Sequence, residues 1–294
     1  MQRYIAILLI FFTSGITGFS SPPTHIPLYS ESHGSGQNII AVHGGPGMDS
    51  GYLKPYLFPL STFSRIILYD QRGCGKSPAA QDFHATIDGA VTDLEILREK
   101  LNIRSIILLA HSFGSVIALK FAVKFPENVK ALIIVSGYAR KHPDQYKYFF
   151  VPDLLKQQIQ DIQNSNLTES VKQKKITALR FSLYFYQKKY RSKKFLEKFT
   201  QSSGFNRKIF QELSVSEEYL GFDERIHLRA LTIPFLILCG KHDIVTPLFL
   251  SEELKNTVRR GKLVVFENSG HFPFIEENVK FIATVKNYFV QELQ

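Results

Sequence analysis

The 294-residue sequence contains only two cysteines, Cys74 and Cys239, and it has no internal repeat and no low-complexity tract. Cys74 lies in a glycine-rich stretch and Cys239 ends an apolar run, so we predict two free thiols. Two such cysteines do not make a disulfide framework. These absences exclude a disulfide-stapled scaffold and a repeat protein, and the composition is that of an ordinary globular chain.

Acidic residues are also relatively few, because the sequence has 26 Asp and Glu and 36 Lys and Arg, which gives a formal net charge of +10. A basic chain can bind an anionic partner such as nucleic acid or a membrane surface. No nucleic-acid-binding motif accompanies the charge, so we interpret it as a generally basic surface and predict no nucleic-acid partner.

The first residues differ from the remainder, because Arg3 precedes an apolar run from Tyr4 to Phe12 and then small and polar residues. This layout is typical of a secretory signal peptide. The run is far shorter than the roughly 20 apolar residues that cross a membrane. We predict a signal peptide over residues 1–20, a periplasmic or secreted protein and no membrane span in the mature form. A buried N-terminal strand or an uncleaved anchor helix is the alternative.

Short runs rich in Ile, Val and Leu recur along the chain, and turn residues bound each of them. Continuous apolar runs, unlike alternating ones, favour strands buried on both faces of a parallel sheet. The runs are Ile39–Val42, Arg65–Tyr69, Ser105–Leu109, Ala131–Val135, Ile233–Leu238 and Leu263–Phe266. Helices are predicted over Thr86–Leu101, Ser115–Phe125 and Val279–Leu293. The pattern predicts an α/β fold with a mostly parallel, doubly wound sheet.

Residues 138–225 break this pattern, because they hold no buried-strand run and are dense in Lys, Phe, Tyr and Gln. Helical periodicity is present over residues 176–190. We predict an inserted helical cap over 138–225, between core segments 21–137 and 226–294. We expect most of its aromatic side chains to form the cap's own core, and a few to line a substrate pocket. Those aromatics include Phe181, Tyr184, Phe185 and Tyr186.

The stretch AHSFG places Ser112 between a predicted strand and a predicted helix. A nucleophile elbow is a sharp strand-to-helix turn of this kind, with small residues two before and two after the serine. Ala110 and Gly114 meet that requirement. Such pentapeptides also arise by chance, and a serine that merely ends a strand is the alternative.

A serine nucleophile needs a base, and in this architecture of strands and helices the acid and then the histidine follow the serine along the chain. Asp243 follows the apolar run at 233–238, and His271 follows the run at 263–266. Both residues lie beyond the carboxyl ends of predicted parallel strands, where open α/β sheets build their sites. A turn aspartate and a loop histidine are the alternatives, but the order and placement favour a Ser112–Asp243–His271 triad.

An acyl-transfer site also needs N–H donors for the developing oxyanion. The residue after the nucleophile supplies one, here the backbone of Phe113. The loop after the run at 39–42 reads HGGPG, and we assign the second donor to the N–H of Gly45. A tight turn without a catalytic role is the alternative for HGGPG.

Five motifs together resemble the α/β-hydrolase fold and, more narrowly, the proline iminopeptidase branch of the serine peptidases. The resemblance covers about residues 37–138 and 226–290, and hardly extends to the cap. The motifs are HGGPG (43–47), YDQRGCGKS (69–77), AHSFGS (110–115), GKHDIVTP (240–247) and SGHFPFIEEN (269–278).

The resemblance implies release of an N-terminal residue, often proline, from a short peptide, without a metal or organic cofactor. It implies that Ser112 is the nucleophile, that His271 is base and then acid, and that Asp243 orients His271. It also implies a carboxylate that holds the substrate's ammonium, and Glu212 stands at the family spacing. The second family glutamate, directly after the triad aspartate, is replaced here by Ile244. Ala110 in place of glycine is a smaller departure.

Three functions therefore stay open. The first is a serine aminopeptidase that acts on short peptides. The second is an esterase for small acyl substrates, which needs no free amine and which Ile244 favours. The third is a non-catalytic protein that uses the hydrolase scaffold and its basic cap to bind an anionic partner.

Overall fold

The computed structural model describes residues 27–79, 84–145 and 151–293. The predicted signal peptide, residues 1–20, lies outside the described residues. Within the described part of the chain, no helix is both long enough and apolar enough to span a membrane.

Seven strands form one sheet in the order β1-β3-β2-β4-β5-β6-β7. Only β1 is antiparallel to its neighbour, and all other pairs are parallel. The strands are β1 Ser30–His33, β2 Asn38–Val42, β3 Arg65–Tyr69, β4 Ile106–His111, β5 Val129–Val135, β6 Phe235–Gly240 and β7 Gly261–Phe266. The α/β fold class and its mostly parallel sheet are confirmed.

Twelve helices lie among the described residues, and six of them stand between β5 and β6. They are α1 Lys54–Leu57, α2 Ile87–Lys100, α3 Gly114–Lys124, α4 Asp153–Asn164, α5 Glu169–Ser182, α6 Lys193–Gln201, α7 Arg207–Ser214, α8 Glu217–Leu220, α9 Arg225–Leu228, α10 Leu248–Thr257, α11 Pro273–Glu276 and α12 Asn278–Glu292. Helices α4 to α8 lie within residues 138–225, where the cap is predicted, and α9 begins at the last of these residues.

Alternating side chains of the strands feed two separate cores, one on each face of the sheet. Along β2, Ile40 and Val42 pack on the face that holds α2 and α3, whereas Ile39 and Ala41 pack on the opposite face with α12. Because both faces are apolar, the strand sequences read as continuous apolar runs. This explains why six of the seven strands could be predicted.

Two elements differ from the sequence-based expectation. Strand β1, with the sequence SESH, was not predicted, because it is a polar edge strand that pairs only with β3. The helix expected over 176–190 is wrong in position, since α5 spans Glu169–Ser182. The apolar pattern continues beyond α5 because Phe185 leaves the helix and is buried in the core around Phe272.

Both cysteines are free, as predicted, and both are buried. Burial raises the pKa of each thiol to about 12. We expect both thiols of the native protein to resist alkylation at mildly alkaline pH, because the thiolate is the reactive form. Mass spectrometry after iodoacetamide treatment measures this. Denaturant should expose both to labelling, and rapid labelling of the folded protein would contradict the assignment.

Candidate active site

The residues predicted for the triad and the oxyanion site follow the carboxyl ends of the parallel strands. The HGGPG loop follows β2 and Ser112 follows β4, and these strands pair directly with Val42 opposite Ala110. Strand β3 lies on the other side of β2, so the chain changes direction between β2 and β4. Open α/β sheets bind ligands at such a switch point.

Ser112 has the backbone geometry of a nucleophile elbow. Its φ is +53°, which lies in the left-handed region that non-glycine residues rarely adopt. The Ser112 N–H donates to Val135 O at 3.0 Å, and the Ser115 N–H donates to Ser112 O at 2.9 Å. A Cβ at position 114 would collide with the carbonyl oxygens of Val42 and His43, so glycine is required there. The turn is therefore fixed on both sides of the serine.

His271 is oriented by Asp243. His271 Nδ1 lies 2.8 Å from Asp243 Oδ2, and both side chains are almost completely buried. Asp243 Oδ1 accepts hydrogen bonds from the N–H groups of Val245 and Thr246, at 2.8 and 2.9 Å. Because the carboxylate is an acceptor, His271 Nδ1 carries the hydrogen and Nε2 is left to accept a proton.

Two backbone N–H groups at the site lack partners. The N–H of Gly44 donates to the Tyr52 hydroxyl at 2.8 Å. By contrast, neither Gly45 nor Phe113 donates its N–H to another described residue. Gly45 has a φ of +132°, and a Cβ there would lie 2.9 Å from the nitrogens of Gly47 and Met48. The backbone thus leaves available the two donors predicted for an oxyanion.

Sequence reasoning missed a hydrogen-bonded chain behind the serine. The Tyr52 hydroxyl lies 2.7 Å from His111 Nδ1, and His111 Nε2 lies 3.0 Å from the carbonyl oxygen of His271. Burial, and next the neighbouring His271, holds the pKa of His111 well below its ordinary value. Neutral His111 therefore donates from Nε2 and accepts at Nδ1 from Tyr52. Tyr52 and His111 are 59 residues apart, so no local sequence pattern predicts their contact.

The loop that carries His271 is tied to the segment after α5. The His271 N–H donates to Tyr184 O at 2.7 Å. The Glu276 carboxylate accepts from the N–H groups of Gly270, Tyr186 and Gln187, at 2.7 to 2.9 Å. Burial raises the pKa of Glu276. The inserted helices and the histidine loop therefore share one hydrogen-bonded network, which the motif SGHFPFIEEN did not reveal.

A cavity of about 320 Å³ opens onto the serine. Gly45, Ser112 and His271 line it together. Phe181 and Tyr184 line it too, whereas Phe185 belongs to the core and Tyr186 stacks on His242. In the described part of the chain, no three His, Cys, Asp or Glu side chains form a group that could hold a metal ion.

Glu212 is not among the described residues that line this cavity, and its role in binding the substrate's amine stays a prediction. It lies on α7 and accepts from the N–H of Ala85 at 3.1 Å, with Lys208 Nζ 3.7 Å away. Glu218 instead binds the N–H groups of Ile87 and Asp88 at the start of α2. Spacing along the chain could not show on which side of α7 Glu212 stands.

Comparison with known proteins identifies the family. The model of the α/β hydrolase fold family matches residues 37–278. The proline iminopeptidases of Saccharolobus solfataricus and Heyndrickxia coagulans are each 28% identical to this chain and each align with 88% of it, covering 86% and 92% of their own lengths.

Solved structures agree on the fold. A meta-cleavage product hydrolase from Pseudomonas fluorescens superposes with a TM-score of 0.75 at 20% identity, over 90% of this chain and 95% of its own. A thermophilic esterase from Thermogutta terrifontis superposes with a TM-score of 0.73 at 22% identity, over 94% and 97%. The chain therefore belongs to the α/β hydrolase fold family, and it is similar to the proline iminopeptidases within it.

Proposed function

We propose that this protein is a serine hydrolase that cleaves small acyl esters or amides through an acyl-enzyme. The observation that carries the proposal is the arrangement around one cavity. The strained Ser112 and the Asp243-oriented His271 both line it, beside the unpartnered N–H of Gly45. Nucleophile, base, orienting acid and oxyanion donor are the components that acyl transfer requires.

In the first half of the reaction, Ser112 Oγ attacks the carbonyl carbon of the substrate and His271 Nε2 takes the hydroxyl proton. The N–H groups of Gly45 and Phe113 bind the resulting oxyanion. The bond to the leaving oxygen or nitrogen then breaks, and His271 returns the proton to the leaving group. In the second half, His271 deprotonates a water that attacks the acyl-enzyme. His271 then returns this proton to Ser112 Oγ as the acyl bond breaks and the acid is released.

Tyr52 and His111 act as positioning residues in this mechanism. The Tyr52 hydroxyl links the HGGPG loop to His111, through hydrogen bonds to the Gly44 N–H and to His111 Nδ1. His111 directly precedes Ser112 and is hydrogen-bonded to the backbone of His271. Misplacement of reacting groups by a fraction of an ångström is costly in rate. The chain of hydrogen bonds holds donor loop, nucleophile and base in one fixed relation.

A serine aminopeptidase is the second candidate function. Its support is the similarity to the proline iminopeptidases, which extends over most of the chain. The cavity gives the opposite indication, because none of the described residues that line it is Asp or Glu. A free ammonium would have no counter-charge there.

Export through the predicted signal peptide is a further part of the proposal, and it is supported by the sequence of residues 1–20.

A paired assay distinguishes the two candidates. The substrates are prolyl-p-nitroanilide, its N-acetylated form and p-nitrophenyl acetate. We expect ester cleavage, and we expect no requirement for a free amine on the amide substrates. Activity confined to the free-amine substrate and lost on acetylation would instead establish the aminopeptidase.

Substitution of Ser112 tests the mechanism itself. We expect Ser112→Ala to lower kcat by about three orders of magnitude or more with the fold intact, since the triad acts as a unit. His271→Ala should give a similar loss. Circular dichroism and thermal unfolding serve as controls for folding. Near wild-type turnover by Ser112→Ala would contradict the proposal.

Removal of the Tyr52 hydroxyl tests the positioning chain. Tyr52→Phe leaves the Gly44 N–H and His111 Nδ1 without their partner, which should lower the free energy of unfolding by about 1–3 kcal/mol. We expect kcat to fall by about tenfold or more while KM changes little, because the substrate's own contacts stay in place.

Tyr69→Phe is the matched control, because the Tyr69 hydroxyl is buried and bonds to no described residue. Its kcat and unfolding free energy should stay near those of the wild type. A Tyr52→Phe protein that behaves like Tyr69→Phe would show that the chain has no role in positioning.

A further inference from the structure

The part of the cavity wall formed by inserted helices carries positive charge. Arg180 near the end of α5 and Arg207 at the start of α7 both line the cavity. No other lysine or arginine is among the described residues that line it. Both are solvent-exposed. Neither guanidinium makes a hydrogen bond or ion pair with another described residue. The site therefore presents two uncompensated cations to a ligand.

Helical spacing shows that these side chains belong to the faces directed at the cavity. On α5, Gln173, Thr177 and Arg180 line the cavity, at a spacing of four and then three residues. On α7, Arg207, Phe210 and Gln211 line it, again at a spacing of three and four. Residues three or four apart share one face of a helix. Apart from the arginines, these faces supply only neutral side chains.

The nearby carboxylates are engaged elsewhere. Glu212 stands on another side of α7 and binds the N–H of Ala85. Glu276 accepts three backbone N–H groups outside the cavity lining. Asp243 is completely buried behind His271. No described carboxylate therefore neutralises Arg180 or Arg207.

We propose that the site selects substrates that carry a carboxylate, and that Arg180 and Arg207 bind it. The inference rests on the proposed serine hydrolase function and adds the charge of its substrate. A guanidinium binds a carboxylate through charge-assisted and often paired hydrogen bonds, whereas it repels an ammonium. A concave site with one sign of charge also raises the local concentration of oppositely charged substrate. Esters or amides of small dicarboxylic acids, or with an acidic leaving group, fit this site.

Two pairs of esters test the proposal, because the neutral member of each pair is the methyl ester of the anionic member. The neutral members carry a second ester bond, so only cleavage of the ester bond that both members share is counted, and the value for dimethyl glutarate is halved because its two ester bonds are equivalent. Monomethyl and dimethyl glutarate place the carboxylate on the acyl side. 3-Acetoxybenzoate and its methyl ester place it on the leaving group. The measured quantity is kcat/KM, divided by the rate of alkaline hydrolysis of each ester. We expect the anionic member of at least one pair to be preferred by about tenfold or more at low salt. The preference should fall as salt is added.

The variants Arg180→Gln and Arg207→Gln show whether the two arginines cause the preference. Each single variant should reduce the ratio of the normalised kcat/KM values for the anionic and the neutral ester by about tenfold or less, mainly through KM. The double variant should bring this ratio close to one. Lys208→Gln is the matched control, because Lys208 adjoins Arg207 on α7 but does not line the cavity. It removes the same charge and should leave the ratio unchanged.

Equal or better turnover of the neutral member in both pairs would overturn the proposal while leaving the hydrolase function in place. A ratio that survives in the double variant would overturn the assignment to these arginines. If none of these esters, p-nitrophenyl acetate or the p-nitroanilides is cleaved, the proposed function fails, and calorimetric binding of 3-acetoxybenzoate to Ser112→Ala decides the inference separately. Binding that the two arginine substitutions abolish supports it, and absence of binding overturns it.

Discussion

The site depends on one steric constraint, the close approach of the start of α3 to the end of β2. Gly114 lies against the carbonyl oxygens of Val42 and His43, and no side chain fits between them. The chain must therefore reverse within a single residue, and Ser112 takes a left-handed φ of +53° to do so. Backbone strain of this kind costs about 1–3 kcal/mol and persists only where the surroundings over-determine it. Here the paired strands β2, β4 and β5 supply that support, and the serine is held at the edge of the sheet.

The other predicted site groups are held relative to this turn by buried hydrogen bonds. Tyr52 and His111 connect the HGGPG loop, the turn at Ser112 and the backbone of His271. Glu276 and Tyr184 then join the His271 loop to the inserted helices. The segment that follows α5, the helix of Arg180, is therefore hydrogen-bonded to the loop that carries His271.

The sequence predicts those parts of the structure that leave a local pattern. Strands β2 to β6 are almost wholly buried, and β7, the half-buried edge strand, is apolar as well, so all six read as apolar runs. The small residues around Ser112 follow from the close approach at the elbow. The polar edge strand β1 has no such pattern. Contacts that join distant segments are invisible as well, which is why Tyr52 and Glu276 were not predicted. The prediction for Glu212 rests on spacing along the chain, which gives no information about which way a short helix is turned.

The account requires that Ser112 is uniquely nucleophilic in the folded protein. Treatment with a fluorophosphonate, followed by peptide mass mapping, tests this requirement without knowledge of the natural substrate. The account predicts a single covalent adduct, at Ser112, that denaturation before treatment abolishes. An unmodified Ser112 in the folded protein, or an adduct at another serine, would contradict it.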